Sequence, residues 1–114
     1  MIAVIFEVEP HEGAAPVYLD IAAALLPELQ ATDGFLSVER FESLTQPGRY
    51  LSLSFWRDEA AVRAWRCQAH HRAAQQQGRS AVFAGYRLRV ATVLRDYGLL
   101  DRTQAPADSR AALR

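Results

Sequence analysis

The 114-residue sequence contains no lysine, one cysteine and no long apolar run, and its formal charge sums to zero. Each absence removes a class of explanation. Zero net charge removes the electrostatic case for a nucleic-acid or membrane-surface partner. A single thiol, Cys67, cannot close an internal disulfide, so a reducing compartment is expected. No apolar stretch approaches the roughly 20 residues that a transmembrane helix needs. Ile2 to Val8 is apolar, but acidic Glu7 and Glu9 and then His11 accompany it, with no basic n-region or cleavage site. No signal peptide is therefore expected, and a cytoplasmic location is. All thirteen cations are arginine, which reads as base-composition bias in the source genome and not as a site.

Half of the residues are hydrophobic, and the length fits one domain. Ile2, Val4, Phe6 and Val8 alternate with their neighbours, the period of a strand. Gly13 marks a loop, and Pro16 suits the first turn of a helix. Leu19, Ala22, Ala23, Leu26 and Leu29 follow at helical spacing, with Pro27 expected to kink or end the helix. Thr32-Asp33-Gly34 is a stop. Phe35 to Leu44 is strand-like, with Phe35, Ser37, Glu39 and Phe41 expected on one side. Gln46-Pro47-Gly48 is a hairpin loop. In the next strand Leu51, Leu53 and Phe55 share one face, and Tyr50, Ser52, Ser54 and Trp56 share the other. That second face is neither a dry core nor a plain solvent face; it reads as the wall of a cavity or an interface. Asp58 caps a second helix that extends toward Gly78, as one helix or two. Tyr86 to Arg95 is the last strand. Residues 1–98 read as one domain and 99–114 as a C-terminal tail.

The order β-α-β-β-α-β makes an α+β, ferredoxin-like fold: a four-stranded antiparallel sheet with both helices on one face. The other face is left uncovered, and an exposed apolar face marks association. A homodimer built by sheet-on-sheet pairing is expected.

The segment Phe55-Trp56-Arg57-Asp58-Glu59-Ala60-Ala61-Val62-Arg63-Ala64-Trp65, followed by His71-Arg72-Ala73-Ala74-Gln75, resembles the antibiotic biosynthesis monooxygenase family. So do Gly34-Phe35, Arg40-Phe41-Glu42-Ser43-Leu44 and Arg95-Asp96-Tyr97-Gly98. The resemblance spans about residues 1 to 98. It implies a dimeric α/β barrel. Some members of that family oxidise aromatic polyketides or quinols with dioxygen and no cofactor, whereas others bind and degrade haem. The resemblance implies His71 as a catalytic base, at the end of the second helix near a cavity, able to form an electron-rich phenolate. The plainer reading of His71 is a surface helix residue beside Arg72 and Gln75. His70 points about 100° away from it on a helix.

Trp65 is the expected stacking partner for a planar substrate, or a core anchor of its helix, or both. Tyr50, Ser52 and Trp56 complete the expected substrate-binding set. Arg40 can meet an anionic substrate group, though pairing with Glu39 or Glu42 is the favoured reading. Haem-degrading relatives place an axial His ten residues after the helix Trp and an Asn in the first strand. Here the first position is Gln75 and residues 2 to 9 contain no Asn, so haem degradation is not expected. No metal-ligand spacing appears. Cys67 has no catalytic partner, and Gly78 and Gly85 are isolated, so no phosphate loop is present. The expectation is a cofactor-independent monooxygenase acting on a small aromatic phenol, quinol or polyketide-like molecule with O2. The alternatives are a non-catalytic dimeric domain that binds small hydrophobic ligands, and a haem-binding relative.

Overall fold

Alternation in the first strand sets the frame for everything else. β1 (Ile2–Pro10) pairs antiparallel with β3 (Tyr50–Trp56) on one side and with β4 (Phe83–Thr92) on the other, and β2 (Phe35–Glu42) pairs with β3. The order β2-β3-β1-β4, with α1 (Ala15–Ala31) after β1 and α2 (Glu59–Gln75) after β3, is the expected ferredoxin-like α+β arrangement. The computed structural model describes the backbone of residues 1–75 and 82–112, and the side chains of residues 1–68 and 82–110.

The register aligns the helix-facing side chains in rows. Arg40, Ser52, Phe6 and Leu88 are cross-strand neighbours, as are Val38, Ser54, Val4 and Val90. Two irregularities change the expected parity. In β2, Phe35 pairs with Trp56 and Ser37 with Phe55, so one extra residue sits in that strand. Phe35 thereby joins Val38 and Arg40 on the helix-facing side, and Ser37, Glu39 and Phe41 take the other. In β4, Glu9 pairs with Gly85 and Pro10 with Phe83, which turns Phe83 inward in the same way. Each bulge re-aims an aromatic ring that strict alternation would point outward. β4 also starts and ends three residues earlier than expected.

The helices lie over this side of the sheet. α1 runs through Pro27, so of the two outcomes expected there, a kink or an end, the end does not occur. Pro27 and Ala23, the residue whose carbonyl loses its partner, are both exposed, so water can satisfy that oxygen, while Leu29 in the last turn is buried in the core. Its buried stripe is Tyr18, Ala22 and Leu29. Leu19 is 40% exposed, so the stripe begins one residue earlier than periodicity indicated. α2 is one continuous helix. Asp58 caps it as expected, its Oδ1 accepting the Ala61 N–H at 2.9 Å.

The main cluster of buried side chains contains Leu29, Trp56, Ala61 and Val62, with Phe35, Val38 and Trp65 packed against it. Trp56 is 1% exposed, and truncating such a ring costs about 3–5 kcal/mol. Beyond β4, α3 (Ala107–Ala112) forms and Ala105 is buried. Among the described residues no helix is long and apolar enough to cross a membrane.

Candidate functional site

The core is packed at one end of the sheet and open toward the other. Between the helices and the sheet lies a cavity of about 540 Å³, within the range of small-molecule sites. Its sheet wall carries the Arg40 and Val38 rows. α1 contributes Tyr18, Ala22, Leu25 and Leu29, and α2 contributes Val62, Trp65 and Arg66. Val62, Trp65 and Arg66 sit three and four residues apart, the spacing that brings side chains to one helical face.

Ser52, Trp56 and Trp65 all line this cavity. Trp56 is its floor, and its Nε1–H donates to Ser54 Oγ at 2.9 Å. Ser54 therefore satisfies the Trp56 ring, which explains how an indole N–H is buried there without loss. Phe35 packs edge-on to Trp56 with ring centroids 5.4 Å apart. Trp65 is only partly buried and presents its ring to the open space. Tyr50 is displaced from its expected role. It packs beside Tyr18 at 5.9 Å between ring centroids and lines a second, smaller recess by the β2–β3 hairpin. His71 falls in α2, but its side chain lies outside the described residues.

Sequence reasoning missed Tyr18 and Phe83 in the wall and ranked the cavity role of Arg40 second. Tyr18 is 5% exposed, touches both Tyr50 and Phe83, and its hydroxyl is buried with no hydrogen-bond partner among the described residues. The signal available was a tyrosine four residues before Ala22 on the same helical face. Phe83 enters through the β4 bulge, which periodicity does not reveal. Arg40 was expected to pair with a neighbouring glutamate. It makes no ion pair among the described residues; instead it lines the cavity, with Nε buried and unpartnered. The bulge explains this, since Glu39 lies on the opposite face, and Glu42 is engaged as acceptor of the Gly48 N–H at 2.9 Å.

The start of α2 is locked to the α1–β2 turn. Arg57 reaches Asp33 with two hydrogen bonds, at 3.1 and 3.3 Å, and Asp58 with a third at 3.1 Å. The Arg57 side chain holds the Asp33 carboxyl below its ordinary range. The Ala61 N–H, and then Arg57, do the same for Asp58. Gly34, at φ +87°, closes the contact: a Cβ there would stand 2.6 Å from the Ala61 Cβ. This junction fixes the angle at which α2 brings Val62 and Trp65 over the sheet.

No group of three or more His, Cys, Asp or Glu is placed to hold a metal among the described residues. The described cavity wall also offers no His, Cys or Met to a haem iron. Cys67 is exposed and unpaired.

Comparison with known proteins yields a family and a fold. The family model described as Antibiotic biosynthesis monooxygenase matches residues 1–77. The Jasmonate monooxygenase ABM of Pyricularia oryzae is 50% identical over 93 residues, covering 82% of this chain and 43% of that protein. The protein YqjZ of Bacillus subtilis is 39% identical over 60 residues, covering 53% of this chain and 51% of that one. The chain thus spans about half the length, or less, of these curated relatives. Among solved structures, the heme-degrader MhuD of Mycobacterium tuberculosis, with two hemes bound in its active site, superposes with a TM-score of 0.70 at 23% identity. The match covers 86% of this chain and all of that one, and at that identity it speaks for the fold alone.

Proposed function

We propose that this chain, which belongs to the antibiotic biosynthesis monooxygenase family, oxidises a small aromatic phenol, quinol or polyketide-like molecule with dioxygen, in the cytoplasm and without a cofactor. The observation that carries this reading is the cavity itself. A planar, electron-rich molecule fits a dry wall of aromatic and aliphatic groups with Trp65 free to stack on it. The chemistry asks little of the protein. An ionised phenol passes one electron to O2, the radical pair joins as a hydroperoxide, and loss of water leaves a carbonyl. The substrate supplies all the electrons, and dioxygen puts one atom in the product and one in water. The cavity's part is to orient the ring and exclude solvent.

His71 is the base in this reading, an assignment carried by the family resemblance. The described wall holds no His, Asp or Glu. That observation favours a second reading, a non-catalytic binding domain for small hydrophobic molecules.

A second copy of the chain is the partner in either reading. The sheet face opposite the helices carries Ile5, Phe41, Leu51, Leu53 and Phe55, and neither α1 nor α2 covers it. Pairing two such faces buries both.

Oxygen uptake by the purified protein is the test, with chelator present and a panel of hydroquinones, anthrone-type phenols and the cyclic keto acid jasmonate, for which the fungal relative is named. Uptake that survives chelation and falls at least about a hundredfold in His71→Ala is expected. Uptake unchanged in the variant refutes His71 as base. No uptake across the panel refutes this activity and leaves the binding domain.

A further inference from the structure

The cavity has a polar pole that neither stacking nor oxygen chemistry uses. We propose that it is an anchor for a carboxylate, with Arg40 as the residue that selects acidic amphipathic substrates. This rests on the reading above only in taking the cavity as the substrate site.

Four facts converge on Arg40. Arg40 lines the cavity, while its Nε–H is out of reach of solvent and has no acceptor among the described residues. A buried donor left unmade is expensive, and a charged one more so, so such a group is retained where a ligand supplies the acceptor. No carboxylate lines the cavity among the described residues, and the only other charged lining group is a second cation, Arg66. An anion entering this space therefore meets attraction with no competing acid, and a cation meets the reverse. The Tyr18 hydroxyl, also buried and unpartnered at the cavity wall, adds a neutral donor. Its ring lies against Tyr50, in the strand row next to that of Arg40 and Ser52.

The spacing defines the ligand further. Arg40 pairs with Ser52, and Trp56 lies four residues further along the same face of β3, a separation of about 13 Å at the rise of a strand. Trp65 and Val62 cover the Trp56 end. The cavity thus selects a molecule with a carboxylate at one end and an apolar ring or chain extending up to about 13 Å from it. Planarity is required only at the Trp65 end. A guanidinium suits the head group because its fork matches a carboxylate with two hydrogen bonds.

Titration calorimetry with a matched pair of probes tests this without turnover. 2-Naphthylacetate and its primary amide share one apolar body and differ in charge. The wild-type protein is expected to bind the acid at least about tenfold more tightly than the amide. Arg40→Gln should bring the acid down to the level of the amide and leave the amide unchanged. Arg66→Gln should keep most of the preference, and Arg40→Lys should keep part of it. Equal binding of acid and amide by the wild type overturns the proposal, and that comparison needs no variant to fold. Binding of neither probe overturns it too, as does a preference that survives Arg40→Gln or follows Arg66. Failure of oxygen uptake with acid preference intact removes the oxygenase and leaves the anchor. Loss of acid preference with uptake intact removes only the anchor.

Discussion

Gly34→Ala isolates the contact on which the placement of α2 depends. Two costs add at this position. A non-glycine residue at φ +87° is in left-handed backbone, at about 1–2 kcal/mol. The new methyl also meets the Ala61 Cβ at 2.6 Å and the Arg57 Nη2 at 3.3 Å, where carbon atoms rest at about 3.5–4.0 Å. Relieving that overlap means moving the first turn of α2 by about 1 Å, an overpacking cost of about 1–3 kcal/mol. The less flexible unfolded chain returns about 0.4–1 kcal/mol. A net loss of about 1–4.5 kcal/mol is expected from these terms. Gly13 is the internal control: its φ is +79° and a Cβ there would meet nothing within 4 Å, so Gly13→Ala carries the backbone part alone, about 0–1.5 kcal/mol. Urea unfolding followed by tryptophan fluorescence, at one fixed protein concentration, measures both. Ala61→Gly should remove the overlap, so the double variant Gly34→Ala/Ala61→Gly should be more stable than the two single losses summed, by about 1–3 kcal/mol. Equal losses at Gly34 and Gly13, or strict additivity in the cycle, would refute the close-contact argument.

Acid should weaken the same junction. Asp33 and Asp58 both have folded-state pKa values below the ordinary one, so their contribution is fully present above the unfolded value of about 3.9. It is lost as pH falls through the lower folded values. Thermal melts of wild type should therefore fall more steeply below about pH 4 than those of Arg57→Met/Asp58→Ala; parallel curves would contradict the assignment. Leu53→Glu places a charge on the sheet face opposite α1 and α2, between Ile5 and Glu39 in the register. Sedimentation equilibrium should show twice the chain mass for wild type and the single mass for the variant, and a monomeric wild type would discard the paired-sheet dimer.

The order of elements was legible because period-two and helical spacing are strong in the apolar residues of β1, β3 and α2. The Asp58 cap was legible for a different reason: a carboxylate in front of a helical pattern has one good use there. What pattern reading lost was parity. A single extra residue near Leu36 shifts Phe35 to the face of Trp56, and another near Ala84 does the same for Phe83. Alternation read as unbroken assigns each ring to the wrong side. The one-residue error in the stripe of α1 has a related origin. Leu19 is more apolar than Tyr18, but Tyr18 has two aromatic partners in Tyr50 and Phe83, and one of those partners is present only because of the bulge.

The site was legible in the same proportion. Ser52 and Trp56 were found because a mixed face on a central strand needs an explanation, and a cavity supplies one. Arg40 was misread because its neighbours in sequence, Glu39 and Glu42, offered an obvious pairing. Tertiary structure removes both. The strand turns Glu39 to the other face, and the hairpin backbone at Gly48 occupies Glu42. An arginine left without an acid beside it, in a wall otherwise almost wholly apolar, is costly to keep for packing alone. That cost is the reason the head-group anchor belongs to Arg40 and not to Arg66. Arg66 is exposed and can be satisfied by water, so it needs no ligand to account for its place.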